Sequence, residues 1–501
     1  LLLKPKSPIF HTNIGLIYQQ QGNYDKAIQF YTKSFLLNPN YADAYYNMGN
    51  SLQLKGKLSE AIEYFNKALV IKRDYAEAHM NLGVLFTMQS KHVDATNAFN
   101  KALLINPNYA EAYYNMGNSL RHQGKLSEAV ESFKKALTIK TDYAEAYMNM
   151  GLVLKDQDKL EEAIESFKNA LTIKEDFAEA YMNMGITLTE QNKIDKAIKT
   201  YNKALLIKPN YAEAYYNLSF SYNLRGDLHK GLKLYEWRLK KKKPLAMMPK
   251  ENFEWDGKKS VLGKNFLVYE EQGLGDIIQF CRYLSLLKQK GARVIFRVKK
   301  EIHSLLKTLD SEITLVDSYP DHCKIDFETP LMSLPYLLKT NVNTIPSLNQ
   351  YILANQDKVK EWKKCFNKST FKIGICWQGS TIKSAIGRSF PLKLFNEISK
   401  LSNIELISLH KGEGERQIKD INFNVTTLGN NFDNGENAFV DTAAVMTICN
   451  LIITCDTAIA HLAGALGCPT WLVLKKIPHW VWMLDRNDSP WYPNTRLYRQ
   501  K

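Results

Sequence analysis

Glycine stands at positions 15, 49, 83, 117, 151 and 185, and Ser219 takes the seventh place in the same 34-residue step. Twelve residues after each comes another small residue, Ala27, Ala61, Ala95, Ala129, Ala163 and Ala197, then Gly231. Nineteen after come Ser34, Ala68, Ala102, Ala136, Ala170 and Ala204, and Pro39, Pro107 and Pro209 close units. A fixed period of this length makes the first half a row of like units, each burying its apolar face only against its neighbours. Ala61, Ile62, Phe65, Ala68 and Leu69 recur at helical spacing and form a buried stripe. Small residues at fixed offsets let two helices approach closely, where a bulky side chain would overpack by about 1–3 kcal/mol.

The period and offsets resemble the tetratricopeptide repeat, a helix–turn–helix unit, so residues 1–243 are expected to form an all-α solenoid of seven units. One repeated position has no packing reason. Asn13, Asn47, Asn81, Asn115, Asn149, Asn183 and Asn217 each lie two residues before the small residue. Asn is a mediocre helix former, but its amide can both donate to and accept from an extended backbone. Stacked units would set these amides in a ladder facing an open groove, a candidate site for a polypeptide acceptor or partner protein. Recent duplication could also repeat any residue, since 41–61 and 109–129 are nearly identical. The array resembles that of O-linked N-acetylglucosamine transferases, which implies an asparagine ladder that holds a polypeptide.

At 501 residues the chain has room for several domains. The net charge of +15 is spread over both halves. Its one dense basic run, Arg238–Lys243, reads as a solvated linker, with contact to anionic lipid or nucleic acid as the lesser alternative. All seven Cys fall in the second half without a CxxC spacing, so neither a zinc site nor a disulfide framework is expected. No apolar run approaches the ~20 residues of a membrane span. A cytoplasmic location is expected, with a peripheral position at the inner membrane as its alternative. No nucleic-acid partner is expected. The opening Leu-Leu-Leu, without Met, reads as a fragment whose start is missing.

Residues 244–264 read as a connector broken by Pro244, Pro249 and Gly257. The rest reads as two α/β layers, 265–365 and 366–501. Asn265–Tyr269 is a strand candidate, followed by a loop with Gly273, Gly275 and Asp276, a helix over 277–289 and a strand over 293–298. Ile278 occupies the place of the third Gly of a dinucleotide fingerprint, which excludes NAD binding. What remains is a glycine loop bringing backbone close to a ligand, with Asp276 either functional or a plain N-cap. In the second layer the strand over 371–377 precedes a loop and then Arg388, which can pair with phosphate or be a solvated loop residue. Leu451–Leu474 reads as strand, polar break, helix and strand, with Gly467 and Pro469 ending the helix. This puts Asp456, Thr457 and Ala458 at a helix N-terminus, where free N–H groups attract phosphate, and His461 one turn on. Read as structure alone, the same residues are an ordinary crossover with an Asp N-cap and a packed His.

The stretch from Asp456 to Leu474, with Trp480–Trp482, Asp488–Gln500, the Gly275–Asp276 loop, Arg388–Pro391 and Asp441–Ala444, resembles bacterial repeat-bearing proteins of glycosyltransferase family 9. These are relatives of the ADP-heptose:lipopolysaccharide heptosyltransferases. The resemblance spans about Glu236 to the end. It implies a GT-B fold of two Rossmann-like domains, with the acceptor side first and the donor sugar nucleotide held by the second. It implies Asp276 as catalytic base, and Arg388, Asp456, Thr457, Ala458 and His461 as donor site. Arg388 stands where heptosyltransferases have Lys, and the helix that usually closes the fold is expected to be missing.

The expected function is therefore metal-independent transfer of a sugar from a nucleotide-sugar donor to an acceptor recruited by the repeats, with no cofactor. The only D-x-D is Asp156–Asp158, in a turn of the repeats. The alternatives are a protein-interaction scaffold with an inactive transferase-like domain, and a glycan-directed transferase whose repeats only localise it.

Overall fold

The structure is a computed structural model that describes residues 7–250, 253–320, 323–380, 387–429, 431–434 and 437–500. The chain divides between Gln191 and Asn192 into two compact units.

The first unit is entirely helical. Its helices are α1 (Pro8–Gln20), α2 (Tyr24–Leu37), α3 (Ala42–Leu54), α4 (Leu58–Ile71), α5 (Ala76–Met88), α6 (His92–Ile105), α7 (Ala110–His122), α8 (Leu126–Ile139), α9 (Ala144–Asp156), α10 (Leu160–Ile173) and α11 (Ala178–Glu190). They pack in consecutive pairs, α1 on α2, α3 on α4, and so on. The recurrent glycine is what allows this. A Cβ added at Gly15, Gly49, Gly83, Gly117 or Gly151 would lie 2.4–2.9 Å from the ring of Tyr31, Phe65, Phe99, Phe133 or Phe167, the aromatic residue of the partner helix. Those rings are fully buried and, with the alanines at the second offset, make the core. The turn inside a pair needs one left-handed residue, supplied by Gly22 and Gly56 and, less comfortably, by Ser90 and Asp158.

The second unit begins with α12 (Ile194–Ile207), α13 (Ala212–Leu224), α14 (Leu228–Tyr235) and a 3-10 turn over Glu236–Lys240. Two wholly parallel sheets follow. The first contains β1 (Asn265–Tyr269), β2 (Arg293–Arg297), β3 (Thr314–Val316) and β4 (Phe327–Pro330) in the order β3-β2-β1-β4. It carries α15 (Leu274–Phe280), α16 (Arg282–Gln289), α17 (His303–Leu306) and α18 (Leu334–Leu337). The second contains β5 (Phe371–Cys376), β6 (Ile404–Ser408), β7 (Leu451–Cys455), β8 (Thr470–Leu474) and β9 (Thr495–Arg499) in the order β6-β5-β7-β8-β9. It carries α19 (Gln356–Lys363), α20 (Asn396–Ser399), α21 (Val440–Ile448) and α22 (Ala458–Ala465). Their central strands are apolar runs buried along nearly their whole length, as crossover-built parallel sheets require.

Two expectations need correction. The helix expected over 277–289 is two helices, because α15 starts earlier, at Leu274, and ends before Cys281. The start of the basic run is no solvated linker: Arg238 is fully buried. Its guanidinium makes a two-point contact with Glu271 (2.7 and 2.9 Å) and also donates to Glu236 (2.6 Å) and Ser333 Oγ (2.8 Å). An arginine fork meeting two carboxylates is among the few ways such a charge survives burial. A run of like charges in sequence hides this, since its members face different surroundings.

Candidate functional site

Ligands of open parallel sheets collect beyond strand C-termini, where the strand order reverses direction. Here the reversals fall between β1 and β4 in one sheet and between β5 and β7 in the other. The loops after β1, β5, β6 and β7 line one cavity of about 790 Å³ within the second unit, a size suited to a small-molecule ligand. The expected residues Gly273, Gly275, Asp276, Arg388, Asp456, Thr457, Ala458 and His461 all line it.

On one wall, Gly273 is the N-cap of α15 and Asp276 is its third residue. Asp276 is therefore not an N-cap. Its carboxylate accepts the Gly273 backbone N–H, which is half of a capping box. Burial, then the neighbouring Glu271 carboxylate, pushes the Asp276 carboxyl up to about 7, while that N–H pulls the other way. The loop is anchored from the last repeat. Glu271 is the buried partner of Arg238 and accepts the Met332 N–H (2.7 Å), and Gln272 Nε2 donates to the Tyr235 hydroxyl (2.8 Å).

Gly275 also has a packing role. A Cβ there would lie 3.0 Å from His461 Cδ2 and 3.3 Å from the Ala458 Cα. It brings α15 against α22 while still lining the cavity. Gly379 does likewise, since its Cβ would lie 2.7 Å from Thr457 Cγ2.

On the opposite wall, β7 ends and α22 begins. Thr457, not Asp456, is the N-cap, and its side chain caps nothing. Asp456 is 5 % exposed and accepts the Trp482 indole N–H at 2.8 Å. Arg388 Nε stands 3.9 Å from its other oxygen, Oδ2, too far for a hydrogen bond. As a result Arg388 Nε, Asp456 Oδ2 and Thr457 Oγ1 are all buried without a hydrogen-bond partner. Buried polar atoms are seldom left so, and three in one cavity, beside the free N–H groups of a helix start, mark a place for an anionic or hydroxyl-bearing ligand. His461 is 7 % exposed, hydrogen-bonded through Nδ1 to the Tyr492 hydroxyl (3.0 Å) and stacked on Trp482. Burial pushes its imidazole down to about 3, so it is neutral and lines the site without carrying charge.

Several lining residues are given no role by the sequence: Cys376 at the end of β5, His410 and Lys411 just after β6, and Phe432, Asp433, Phe439 and His479 from longer connections. Thr442, in the Asp441–Ala444 segment, also lines the cavity. His479 is also neutral, pushed down to about 4 by burial. Asp433 receives the Asp441 N–H (2.8 Å) and the Thr442 hydroxyl and N–H, capping α21 from outside its own segment. Phe439 stands at the α21 N-cap with φ 65°, a left-handed conformation costly for a bulky residue and frequent at functional sites. Among the described residues, no group of three or more His, Cys, Asp or Glu is placed to hold a metal ion, and no helix is long and apolar enough to cross a membrane.

The asparagines of the first unit differ among themselves. Asn13 is exposed, Asn47 is buried, and Asn81, Asn115, Asn149 and Asn183 are half-buried. The Asn81 amide donates to Asn50 Oδ1 (2.7 Å) and to the Tyr46 hydroxyl (3.2 Å) of the preceding repeat, and Asn149 does the same to Asn118 and Tyr114. Asn115 and Asn183 donate to carbonyls of their own helices, Glu111 and Glu179. In the second unit Asn217 donates to the Glu213 carbonyl. Asn81 and Asn149 thus use both amide hydrogens internally, and only their oxygens are left to meet a peptide.

Residues 8–74, 98–131 and, in three overlapping segments, 117–226 match tetratricopeptide-repeat families. The chain is 22% identical over 270 residues to protein FlbA of Caulobacter vibrioides, a match covering 49% of this chain and 44% of FlbA, so it spans less than half of that relative. Among solved structures, MamA is 31% identical, with 32% of this chain and 95% of MamA covered at a TM-score of 0.31. YrrB, a TPR protein with an unusual peptide-binding site, is 25% identical, with 37% and 95% covered at a TM-score of 0.33. The matched residues of the helical half are tetratricopeptide repeats.

Proposed function

We propose that the second unit is a GT-B-type glycosyltransferase, using a nucleoside-diphosphate sugar at the cavity between α15 and α22. The observation that carries this reading is the trio of orphaned buried groups, Arg388 Nε, Asp456 Oδ2 and Thr457 Oγ1, at a helix start facing Asp276. The resemblance to glycosyltransferase family 9 supports it with motifs at several separated positions. The diphosphate lies on the N–H groups of Ala458 and Ile459 with Arg388 beside it, where they stabilise the negative charge that grows on the leaving group. Asp276 takes the proton of an acceptor hydroxyl. The acceptor oxygen bonds to the anomeric carbon as the bond from that carbon to the diphosphate breaks. A carboxylate whose pKa has been raised to about 7 is matched to this work near neutral pH. The repeat array recruits a polypeptide, as acceptor or as the partner carrying it.

The test is hydrolysis and transfer from ADP-, UDP-, GDP- and TDP-sugars by the full chain and by Asp276→Asn. Turnover of at least one donor, lost in the variant, is expected. No turnover of any donor, with or without a protein acceptor, would leave the protein-interaction scaffold as the better reading.

A further inference from the structure

The repeats are near-copies, so a unit that departs from its neighbours at several touching positions is informative. A cavity of about 580 Å³ opens between α4 and α6, with the Leu82 and Phe86 side chains of α5 contributing apolar lining. Bulk that the preceding unit has is missing here. His79 stands where other units have Tyr45, Tyr113, Tyr147 and Tyr181. Ala98 stands where the preceding unit has Tyr64, whose ring packs against Phe35 and Tyr45, and where later units have the small Ser132, Ser166 and Thr200.

The charges have changed in one direction as well. Arg73 replaces the proline found at 39 and 107. Asn97 replaces the glutamate found at 63, 131 and 165. Glu63 pairs at 2.6 Å with Lys67, the counterpart of Lys101, so Lys101 has lost that partner. Here Arg73 and Lys101 stand against Asp94 alone. The corresponding grooves have Glu60 and Glu63 against Lys67, Glu128 and Glu131 against Lys135, and Glu162 and Glu165 against Lys134. These three are net negative and this one is net positive; the equivalent positions one unit further on, Lys168, Glu175, Lys196, Lys199 and Lys203, are net positive too but keep the tyrosine, Tyr181. What sets this cleft apart is that the loss of the tyrosine at 79, the gain of Arg73 and the loss of a glutamate at 97 fall together on positions that line one cavity. His79, Leu82 and Phe86 also share one face of α5, and Asn81 lies on another. The cleft is therefore separate from the asparagine row.

We propose that this cleft is a second docking site of the repeat array, for a segment of a partner protein in which an apolar side chain sits beside a carboxylate. The apolar side chain enters over Leu82 and Phe86, and the carboxylate meets Arg73 and Lys101. The reading does not depend on the chemistry of the other unit.

The test is selection of random twelve-residue peptides on phage against the full chain, followed by fluorescence anisotropy of the enriched peptides. Two variants are used: Lys101→Glu, at an exposed position where folding is safe, and Ala98→Tyr, which refills the cleft as Tyr64 does. Enrichment of sequences pairing Leu, Ile or Phe with Asp or Glu is expected, with affinity lowered about 10-fold or more by each variant. Replacing the peptide's acidic residue by Gln should cost a similar factor. Enriched peptides that bind both variants as well as wild type would overturn the proposal. So would enrichment of basic sequences, no enrichment at all, or displacement by millimolar inorganic phosphate with no dependence on the apolar residue.

Discussion

Gly83 and Gly275 each make room for a close neighbour, but for different ends. In the repeat unit a Cβ at Gly83 would meet the Phe99 ring at 2.4 Å, and four other pairs repeat that contact with their own ring. In the α/β unit Gly275 admits a single partner, the start of α22 with His461. The polar groups differ in the same way. Asn81 and Asn149 donate to the preceding repeat, whereas Arg388, Asp456 and Thr457 each leave a buried polar atom unmatched. A repeated contact satisfied by its own copies speaks for architecture. A single constellation with polar atoms left over speaks for a ligand.

The two units can be followed separately, because all eight Trp lie in the second. The largest expected effect is there. Arg238→Ala leaves Glu271 and Glu236 without their cation and should cost about 3–5 kcal/mol. Urea unfolding followed by Trp fluorescence should show it, and an unchanged midpoint would mean that the last repeat does not hold the Asp276 loop. Next comes Asp276→Asn, expected to lower transfer by about 100-fold while donor binding survives. Asp276 is protonated below about 7 and basic above it, so wild-type turnover should rise with pH through that value. The residual rate of the variant should lack that rise; a variant that keeps it would assign the titration to another group. Smaller again is Gly83→Ala, which should destabilise the first unit by about 1–3 kcal/mol by overpacking Phe99. Far-UV circular dichroism should report a shifted transition that Trp fluorescence does not, and coincident shifts in both would contradict the division. The smallest effect belongs to Asn81→Ala. Loss of its bonds to Asn50 and Tyr46 should cost about 0.5–1.5 kcal/mol. The expected ladder would then draw on the Asn81 oxygen, its N–H groups being used within the array. A variant as stable as wild type would show those two bonds to be dispensable.

The sequence made the repeats legible because one physical constraint is written several times. The offsets of Gly49 and Ala61 carry their own explanation once the period is seen. It also revealed the parallel strands, since buried apolar runs such as Phe371–Cys376 and Leu451–Cys455 are bounded by glycine and polar residues. Helix starts were less legible. Whether Gly273 or Asp276, Asp456 or Thr457, takes the N-cap depends on one backbone torsion. The burial of Arg238 could not be read at all, because its partners Glu271 and Ser333 lie far along the chain. The same holds for Asp433, which caps α21 across a loop, and for His479, brought to the cavity from beyond β8. The residues after β1 and β7 were found, whereas those after β6 and those delivered by long connections were missed.

The central claim is that a nucleoside-diphosphate sugar occupies the cavity with its phosphates at Thr457 and Arg388. Isothermal titration of the full chain and of Arg388→Ala with ADP-, UDP-, GDP- and TDP-sugars tests it most directly. The account predicts saturable binding of at least one donor to wild type, weakened about 10-fold or more in the variant by loss of a charged hydrogen bond. Absence of binding across the panel, or binding that Arg388→Ala leaves unchanged, would contradict it.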